Sequence, residues 1–357
     1  MPDERGAAMA GKAGDPAPRV RRSRGSGHVR IEDVAREAAV SAQTVSRFFR
    51  NPGQVSAETA ARIDRAVRAT GYVRNLVAGA LASNRSRIVA VLVPTIANPI
   101  HAAPVKALAD VLRPEGYQVL VGSTNYDPAV EHDLVEAFLG RRVEGIVLTG
   151  TSLLPETAHL LARAGVPVVQ TWELPKCPVD MAVGSDNEGA GIAVARHFFA
   201  RGYRNFAVLS HGASGDTRSA ARLAGFIGES ARLGLAPPFS VSFTRATDLS
   251  QAPDLLARLR HAGRPIDAVF CVGDPLGIGL VLACGRSGLR VPLDLAVAAF
   301  GDSELAALIT PALTTVRVPR ADFGRVAGEM LLARFAGRPV EQRIVDLGFR
   351  LIVRETT

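Results

Sequence analysis

Residues 29–81 constrain the fold most, because two short helical runs follow each other there across a tight turn. Ser41 precedes the second run and can cap it by accepting a backbone N–H bond. Two helices joined in this way predict a helix-turn-helix. Apolar residues at helical spacing predict one buried face for the first run: Ile31, Val34, Ala35 and Ala38.

The second run carries polar side chains on the face opposite Val45 and Phe48. Gln43 and Arg47 are four residues apart and share that face. Glutamine and arginine are the side chains that hydrogen-bond adenine and guanine edges in a major groove. We therefore predict that Ala42, Gln43 and Arg47 read bases of double-stranded DNA. The alternative is a small three-helix module with a solvated polar face, since such pairs are common on short helices.

A third helix is predicted from Ser56 to Thr70, followed by Gly71 just beyond its C-terminus. Residues 75–82 then form a short helix-capable run with small residues on one side. Together, the motif Val-Ser-x-x-Thr-Val-Ser-Arg at residues 40–47 and the later Asn-x-x-Ala-x-x-Leu resemble the LacI family of repressors. The resemblance implies a set of DNA-contacting residues in the reading helix and in a hinge helix: Ser41, Ala42, Gln43, Thr44, Ser46, Arg47, Asn75, Ala78 and Leu81.

The resemblance also implies how such a protein acts on DNA. The hinge would fold on DNA, and Leu81 would wedge into the central minor-groove step and bend it. One recognition helix reads few base pairs, so a homodimer on a near-palindromic operator is expected, or a tetramer built from such dimers. Ala39 stands where the family usually has a turn glycine, so this turn either avoids positive φ or is strained. Arg74 replaces a proline, which predicts a less rigid linker and an added phosphate contact.

Charge and composition divide the chain into parts. Residues 1–87 hold 16 Lys and Arg against 8 Asp and Glu, whereas the remaining 270 residues hold 26 of each. The excess positive charge therefore lies in the segment assigned to DNA, as counterion release requires. We expect a disordered basic tail at 1–27, which is either a solvated extension or the product of a start before Met9. The helix-turn-helix domain would span 28–73, the hinge or linker 74–86, and an effector-binding and dimerisation domain 87–357.

The sequence of residues 87–357 predicts an α/β fold. Apolar runs such as 88–93 and 206–210 alternate with helical segments such as 155–164 and 320–335, which indicates parallel sheets covered by helices. Two such series of similar size suggest two subdomains with a cleft between them. The family resemblance implies a periplasmic-binding-protein-like domain, with chain crossovers near 185–189, 300–302 and 316–319.

Other functional classes find little support in the sequence. Gly277-Ile278-Gly279 lacks the third glycine of a dinucleotide fingerprint, and there is no phosphate-binding loop or nucleophile elbow. The chain is therefore predicted not to be an enzyme and to need no cofactor or metal. The three cysteines are far apart and match no metal spacing, which favours a reducing cytoplasm. No run is long enough to span a membrane.

Ligands of open α/β sheets bind beyond the carboxyl ends of the strands, so the loops there are the candidate effector site. The first loop, 94–101, ends in Ile100 and His101, at positions that often line the family's pocket. His101 either donates a hydrogen bond to the ligand or is a helix-start histidine satisfied by solvent. Arg222 matches the family's Arg-Leu-Ala-Gly-aromatic motif, whose arginine reaches the effector. Arg218, one turn earlier, is either a second guanidinium in the cleft or an exposed helix charge.

Two further loops supply carboxylates. Gly273 stands where the family often has an amide before Asp274. Gly301 stands where it usually has the first of two aspartates, which leaves Asp302. Two arginines in a cleft that has lost a carboxylate favour an anionic ligand, because guanidinium and carboxylate pair through two parallel bonds.

Segments 45–56, 179–187 and 346–349 resemble the gluconate-operon repressors of the family. This resemblance implies a sugar acid such as gluconate as the effector. One alternative is that the regulator responds to a different sugar or metabolite. The other is that the protein is a solute sensor that no longer binds DNA. Whether the ligand releases DNA or promotes binding is left open by the sequence.

Overall fold

The computed structural model describes residues 29–74, 85–150, 153–211, 215–243 and 251–357. These residues fall in two compact units, one within 1–79 and the other within 80–357. The predicted tail at 1–27 and the hinge residues Asn75, Ala78 and Leu81 lie outside the described residues. None of the described helices is long and apolar enough to cross a membrane.

In the described part of the first unit, residues 29–74, the α-helices are α1 (Ile31–Glu37), α2 (Ala42–Arg50) and α3 (Ala57–Thr70), with a 3-10 helix at Pro52–Gln54. The Oγ atoms of Ser41 and Ser56 accept the backbone N–H groups of residues 44 and 59. The predicted N-cap at Ser41 is confirmed, whereas Ser56, predicted as the first residue of the third helix, is the N-cap of α3. The core combines all three helices, and its buried members are Val34, Ala35, Ala38, Val45, Ile63 and Ala66. Of the four residues predicted for the buried face of α1, three are buried, and Ile31 is partly buried.

The two turns of this unit differ in strain. Gly71 ends α3 with φ of +66°, as predicted for a residue just beyond a helix. Ala39, between α1 and α2, has φ of +51°. The turn thus keeps the left-handed geometry, and alanine carries the strain that glycine would avoid. Arg62 of α3 donates to the Ala39 carbonyl across 3.5 Å.

The second unit is α/β. Its elements up to residue 200 are β1 (Ile88–Val93), α4 (Ala102–Leu112), β2 (Gln118–Ser123), α5 (Pro128–Gly140), β3 (Gly145–Thr149), α6 (Pro155–Ala164), β4 (Val168–Trp172), β5 (Met181–Gly184) and α7 (Asn187–Ala200). The later ones are β6 (Phe206–His211), α8 (Thr217–Arg232), β7 (Phe239–Phe243), α9 (Ala252–Arg260), β8 (Ala268–Cys271), α10 (Asp274–Arg286), β9 (Ala296–Phe300), α11 (Glu304–Leu308), β10 (Thr314–Arg317), α12 (Arg320–Phe335), β11 (Ile344–Asp346) and β12 (Arg350–Ile352).

The strands form two six-stranded sheets in the orders β11-β5-β4-β3-β1-β2 and β12-β10-β9-β8-β6-β7. All pairings are parallel except that of β10 with β12. The central strands are buried on both faces, which explains their continuous apolar sequences. The prediction of two α/β subdomains is confirmed; each sheet with its helices is one subdomain, called here the first and the second.

The chain crosses between the subdomains three times. It leaves the first sheet after β5, returns after β10, and leaves again between β11 and β12. The crossovers predicted near 185–189 and 316–319 are confirmed. The one predicted near 300–302 is wrong, because β9 and β10 are neighbours in the same sheet. The third crossover lies at 347–349, where the very short strands β11 and β12 gave no apolar signal of useful length.

Helices α7 and α8 cross unusually closely, and this crossing positions the second subdomain's functional helix. A Cβ atom on Gly225 of α8 would lie 2.1 Å from the carbonyl oxygen of Glu188, and one on Gly191 of α7 would lie 2.0 Å from that of Arg222. Both positions therefore require glycine. Beneath the crossing, Phe226 packs against Phe206 and Phe270, with ring centroids 5.6 and 5.1 Å apart.

Candidate functional site

The structure places the predicted base readers on the solvent side of α2. Gln43 and Arg47 are exposed, whereas Val45 is fully buried beneath them. Ser41 is exposed, and Ala42, Thr44 and Ser46 are half-buried along the same helix. A short helix with a free Gln–Arg face can reach base edges in a major groove.

Arg74 lies against this unit. Its Nη1 donates to the Phe49 carbonyl oxygen at 3.1 Å, and its guanidinium lies 5.7 Å from the Phe49 ring centroid. A side chain held in this way anchors the end of the three-helix unit. The less rigid linker predicted from Arg74 stays a prediction, because residues 75–84 lie outside the described residues.

A cavity of about 560 Å³ lies between the two subdomains of the α/β unit. All four predicted loops reach it, because each follows the carboxyl end of a strand. Five of the six predicted effector residues line it: Ile100, His101, Arg218, Arg222 and Asp274.

Arg222 is a buried cation of the cavity wall. Its Nη1 donates to Asn187 Oδ1 at 2.5 Å, and its Nη2 donates to Ser219 Oγ at 2.9 Å. The guanidinium carbon lies 4.0 Å from the centroid of the Phe300 ring. Burial lowers the pKa of Arg222 to about 10, so it remains a cation at neutral pH.

Arg218 is buried in the cavity wall, so it is not the exposed helix charge that the sequence also allowed. Its Nη2 pairs with Asp216 Oδ1 at 3.2 Å. Asp216 also caps α8 through the backbone N–H of Ser219. The paired aspartate compensates one of the two arginine charges at this end of the helix.

His101 is 7% exposed, so solvent does not satisfy it. Its ring meets that of Trp172 edge-on at 5.6 Å. Burial, reinforced by the charge of Arg218, lowers the pKa of His101 to about 3. The imidazole is therefore neutral at physiological pH and can donate or accept one hydrogen bond from the wall of the first subdomain.

Asp274 lies at the opposite wall, only 2% exposed. Its carboxylate accepts the backbone N–H of Ser303 at 2.5 Å and the hydroxyl of Thr315 at 2.6 Å. Burial raises its pKa despite these donors. Gly301 beside it has φ of +132°, and a Cβ there would lie 3.3 Å from Asp274 Oδ2. A side chain at 301 would thus be strained and would crowd the aspartate.

Asp302 is not among the residues that line the cavity. Its carboxylate is held by Arg317 and by Arg354, the latter at 2.6 Å, and its carbonyl accepts from Arg320 Nη2 at 3.2 Å. Asp302 itself has a positive φ of +49°. The prediction that Asp302 contacts the effector is therefore not supported by the structure.

Several lining residues escaped sequence reasoning, namely Tyr126, Trp172, Ser303 and Arg320. Tyr126 follows β2, and Trp172 ends β4. The only tryptophan of the chain at the end of an apolar run was a usable signal. Arg320 begins α12 directly after the second crossover, and nothing in the local sequence distinguishes it from exposed helix arginines.

Unsatisfied polar atoms concentrate at this cavity. Within the described residues, five buried side-chain nitrogen or oxygen atoms lack a hydrogen-bond partner, and four of them belong to cavity-lining residues. They are His101 Nδ1, Arg218 Nη1, Arg222 Nε and Ser303 Oγ. An unmade hydrogen bond costs a buried group about 1–3 kcal/mol, so such a cluster indicates a binding site whose ligand supplies partners.

A helix-turn-helix unit joined to a two-subdomain α/β unit with a central cavity defines a class, the ligand-responsive DNA-binding transcriptional regulators. Comparisons with known proteins agree. Residues 30–75 match the family described as "Bacterial regulatory proteins, lacI family", and residues 195–357 match the "Periplasmic binding protein-like domain".

The HTH-type transcriptional regulator GntR of Escherichia coli is 34% identical over 321 residues, which cover 90% of this chain and 96% of that protein. A LacI-family regulator from Silicibacter pomeroyi superposes with a TM-score of 0.87 at 28% identity, over 92% of this chain and 99% of that one. The lac repressor dimer bound to operator superposes with a TM-score of 0.76 at 26% identity, over 92% and 99% of the two chains. The chain belongs to the LacI family of DNA-binding transcriptional regulators, which are not enzymes, and it resembles the gluconate-operon repressor branch.

Proposed function

We propose that this regulator is a homodimeric repressor whose affinity for operator DNA is controlled by a sugar acid such as gluconate. The observation that carries the proposal is the burial of Arg222 together with the nature of its hydrogen-bond partners. This buried cation lines the cavity, and its two hydrogen bonds go to neutral groups. A carboxylate is the partner that a desolvated guanidinium binds most strongly.

The other polar groups of the cavity suit the remainder of such a ligand. Asp274 can accept sugar hydroxyls through its remaining lone pairs, and Ser303 has an unpartnered hydroxyl beside it. His101 approaches from the first subdomain and Arg222 from the second. A ligand that touches both walls would favour one arrangement of the subdomains, and this differential affinity couples effector and operator by roughly 1–3 kcal/mol.

On the DNA side, the proposal assigns base reading to Ala42, Gln43 and Arg47, and further DNA contacts to Ser41, Thr44 and Ser46. The residues 75–82 would form the minor-groove wedge with Leu81. Two copies related by two-fold symmetry would read the halves of a near-palindromic operator. The similar lac repressor was crystallised as a dimer on its operator, which supports this arrangement.

The proposal is tested with the full chain, gluconate and glucitol, which share a carbon skeleton and differ in the carboxylate. Isothermal calorimetry should show gluconate binding at least about tenfold more tightly. The binding of a selected operator should change when gluconate is added, and the direction of that change distinguishes induction from corepression.

Arg222→Ala should weaken gluconate binding by on the order of 2 kcal/mol, about thirtyfold, while DNA binding without ligand stays normal. Arg232→Ala is the matched control, because Arg232 lies on the same helix and its side chain is 63% exposed. Equal binding of gluconate and glucitol by the wild type, or normal gluconate binding by Arg222→Ala, would show that the effector is not recognised as an acid.

A further inference from the structure

Asn187 occupies an unusual position behind the cavity. It is the first residue of α7, directly after the first crossover, and it is 8% exposed. Its Oδ1 accepts from Arg222 Nη1 at 2.5 Å. Its Nδ2 donates to the carbonyl oxygens of Trp172 at 2.9 Å and Ser185 at 3.3 Å. One amide therefore uses its acceptor on the second subdomain and its donor on the end of β4 in the first.

The bonds fix the orientation of this amide. Two carbonyl oxygens face Nδ2, and a guanidinium N–H faces Oδ1, so a flipped amide would oppose like groups on both sides. Ser219 Oγ accepts from Arg222 Nη2, so Asn187 and Ser219 together hold the guanidinium; this pair is called here the clamp. Arg222 is consequently held in one geometry before any ligand binds, and its Nε is left without a partner.

The chemical nature of the clamp is as important as its geometry. Asn187 and Ser219 both satisfy Arg222 without neutralising it, whereas the neighbouring Arg218 has its own aspartate, Asp216. In a buried site, a carboxylate in direct contact would cancel most of the field that Arg222 exerts on a ligand. The charges of Asp216 and Glu173 also act on Arg222, but its two hydrogen-bond partners add no negative charge of their own.

We propose that Asn187 is the specificity-determining positioning residue of the cavity, because it aligns Arg222 while leaving its charge for an acidic ligand. Asn187 acts through Arg222 and does not contact the ligand itself. This inference rests on the proposed function, and it adds that the preference for acids depends on the neutrality of position 187.

The test measures the binding of gluconate and glucitol to the full chain by calorimetry at pH 7. Asn187→Asp keeps the shape of the side chain and places a carboxylate on Arg222. We expect its gluconate-over-glucitol preference to fall at least about tenfold, with glucitol affinity nearly unchanged. Asn125→Asp is the control. Asn125 is exposed, is not among the residues that line the cavity, and has φ of +53°, a conformation that aspartate tolerates as asparagine does.

A similar loss of preference in Asn125→Asp would mean that a negative charge added outside the cavity has the same effect, and it would overturn the inference. Asn187→Asp also loses the donor to two carbonyl oxygens, which puts its folding at risk. Asn187→Ala provides a second test that does not depend on the folding of Asn187→Asp. This variant leaves Arg222 charged but unaligned. We expect gluconate affinity to drop about fivefold or more and glucitol affinity to change less than about twofold.

Wild-type gluconate affinity in Asn187→Ala would refute the positioning role whatever Asn187→Asp does. A failure of the proposed function can be told apart from a failure of this inference, because it would appear in the gluconate and glucitol binding of the wild type and of Arg222→Ala. If the wild type binds acid and Arg222→Ala does not, while both Asn187 variants retain the wild-type preference, only the inference about Asn187 is wrong.

Discussion

The DNA-binding unit and the effector cavity solve the problem of presenting a guanidinium in opposite ways. Arg47 stands exposed on a short helix whose opposite side is buried, and three consecutive helices suffice to build its support. Arg222 is buried, and its environment comes from segments as distant as Asn187 and Phe300. An exposed reader meets its partner at a solvated surface, whereas a buried one must be arranged in advance because water is excluded.

The comparison predicts that substitutions near the cavity change folding and function together, whereas substitutions on the reading face change function alone. Gly225→Ala should show the largest combined effect, because the new Cβ would lie 2.1 Å from a backbone carbonyl of α7 and would force α8 outward. We expect a loss of about 2 kcal/mol or more in unfolding free energy and a weaker gluconate response. Chemical denaturation and calorimetry measure the two.

Gly228→Ala is the matched control for that substitution. It lies on the same helix, and a Cβ there meets nothing within 4 Å. Alanine should stabilise the helix by about 0.5–1 kcal/mol and leave the ligand response intact. If both alanines destabilised the protein equally, the close crossing of α7 and α8 would not be what positions Arg222.

Arg47→Ala tests the other side of the comparison. Loss of a base-reading arginine should cost about 1–3 kcal/mol in operator affinity and relax specificity at one base pair in each half-site. Unfolding free energy should be unchanged, because the side chain is exposed. Binding titrations on an operator series with single base changes provide the measurement, and Arg65→Ala on α3 is the control. Wild-type specificity in Arg47→Ala would remove it from the readers.

The lowered pKa of His101 predicts a pH dependence of stability that comes from the cavity. Its folded pKa is about 3, whereas an unfolded histidine titrates near 6.5. Between these values the unfolded chain binds the proton and the folded chain does not. The contribution of this group to the unfolding free energy is thus fully present above pH 6.5. It falls as the pH drops toward 3, by up to about 1.4 kcal/mol per pH unit. His101→Gln should reduce this slope in denaturation curves between pH 5 and 7, whereas His159→Gln, at an exposed position on α6, should not.

The smallest expected effect is in the turn of the DNA-binding unit. Ala39→Gly relieves a φ of +51° and should stabilise that unit by about 1 kcal/mol or somewhat less, with no change in base specificity. Slower amide exchange in α1 and α2 would show it. Faster exchange would mean that the flexibility of glycine in the unfolded chain outweighs the relieved strain.

The sequence alone determined everything that depends on short-range periodicity and on local motifs. It located the three helices of the DNA-binding unit, the N-cap at Ser41 and the glycine that ends the third helix. It also predicted the bounds of helices such as Pro155–Ala164 and Arg320–Phe335. The strands that are apolar over five residues or so were also found. A cavity residue such as Arg222 was found only because it lies in a motif that resembles the LacI family.

Tertiary structure decided which polar groups meet. Asp302 follows a strand at the cavity edge, yet three arginines from β10, α12 and the segment after β12 hold it elsewhere. Asn187, by contrast, is separated from Arg222 by 35 positions and gave no sequence signal of a role in the site. Hydrogen bonds between distant segments depend on how helices and crossovers pack. That packing is set by close approaches, such as the one at Gly225, which periodicity does not record.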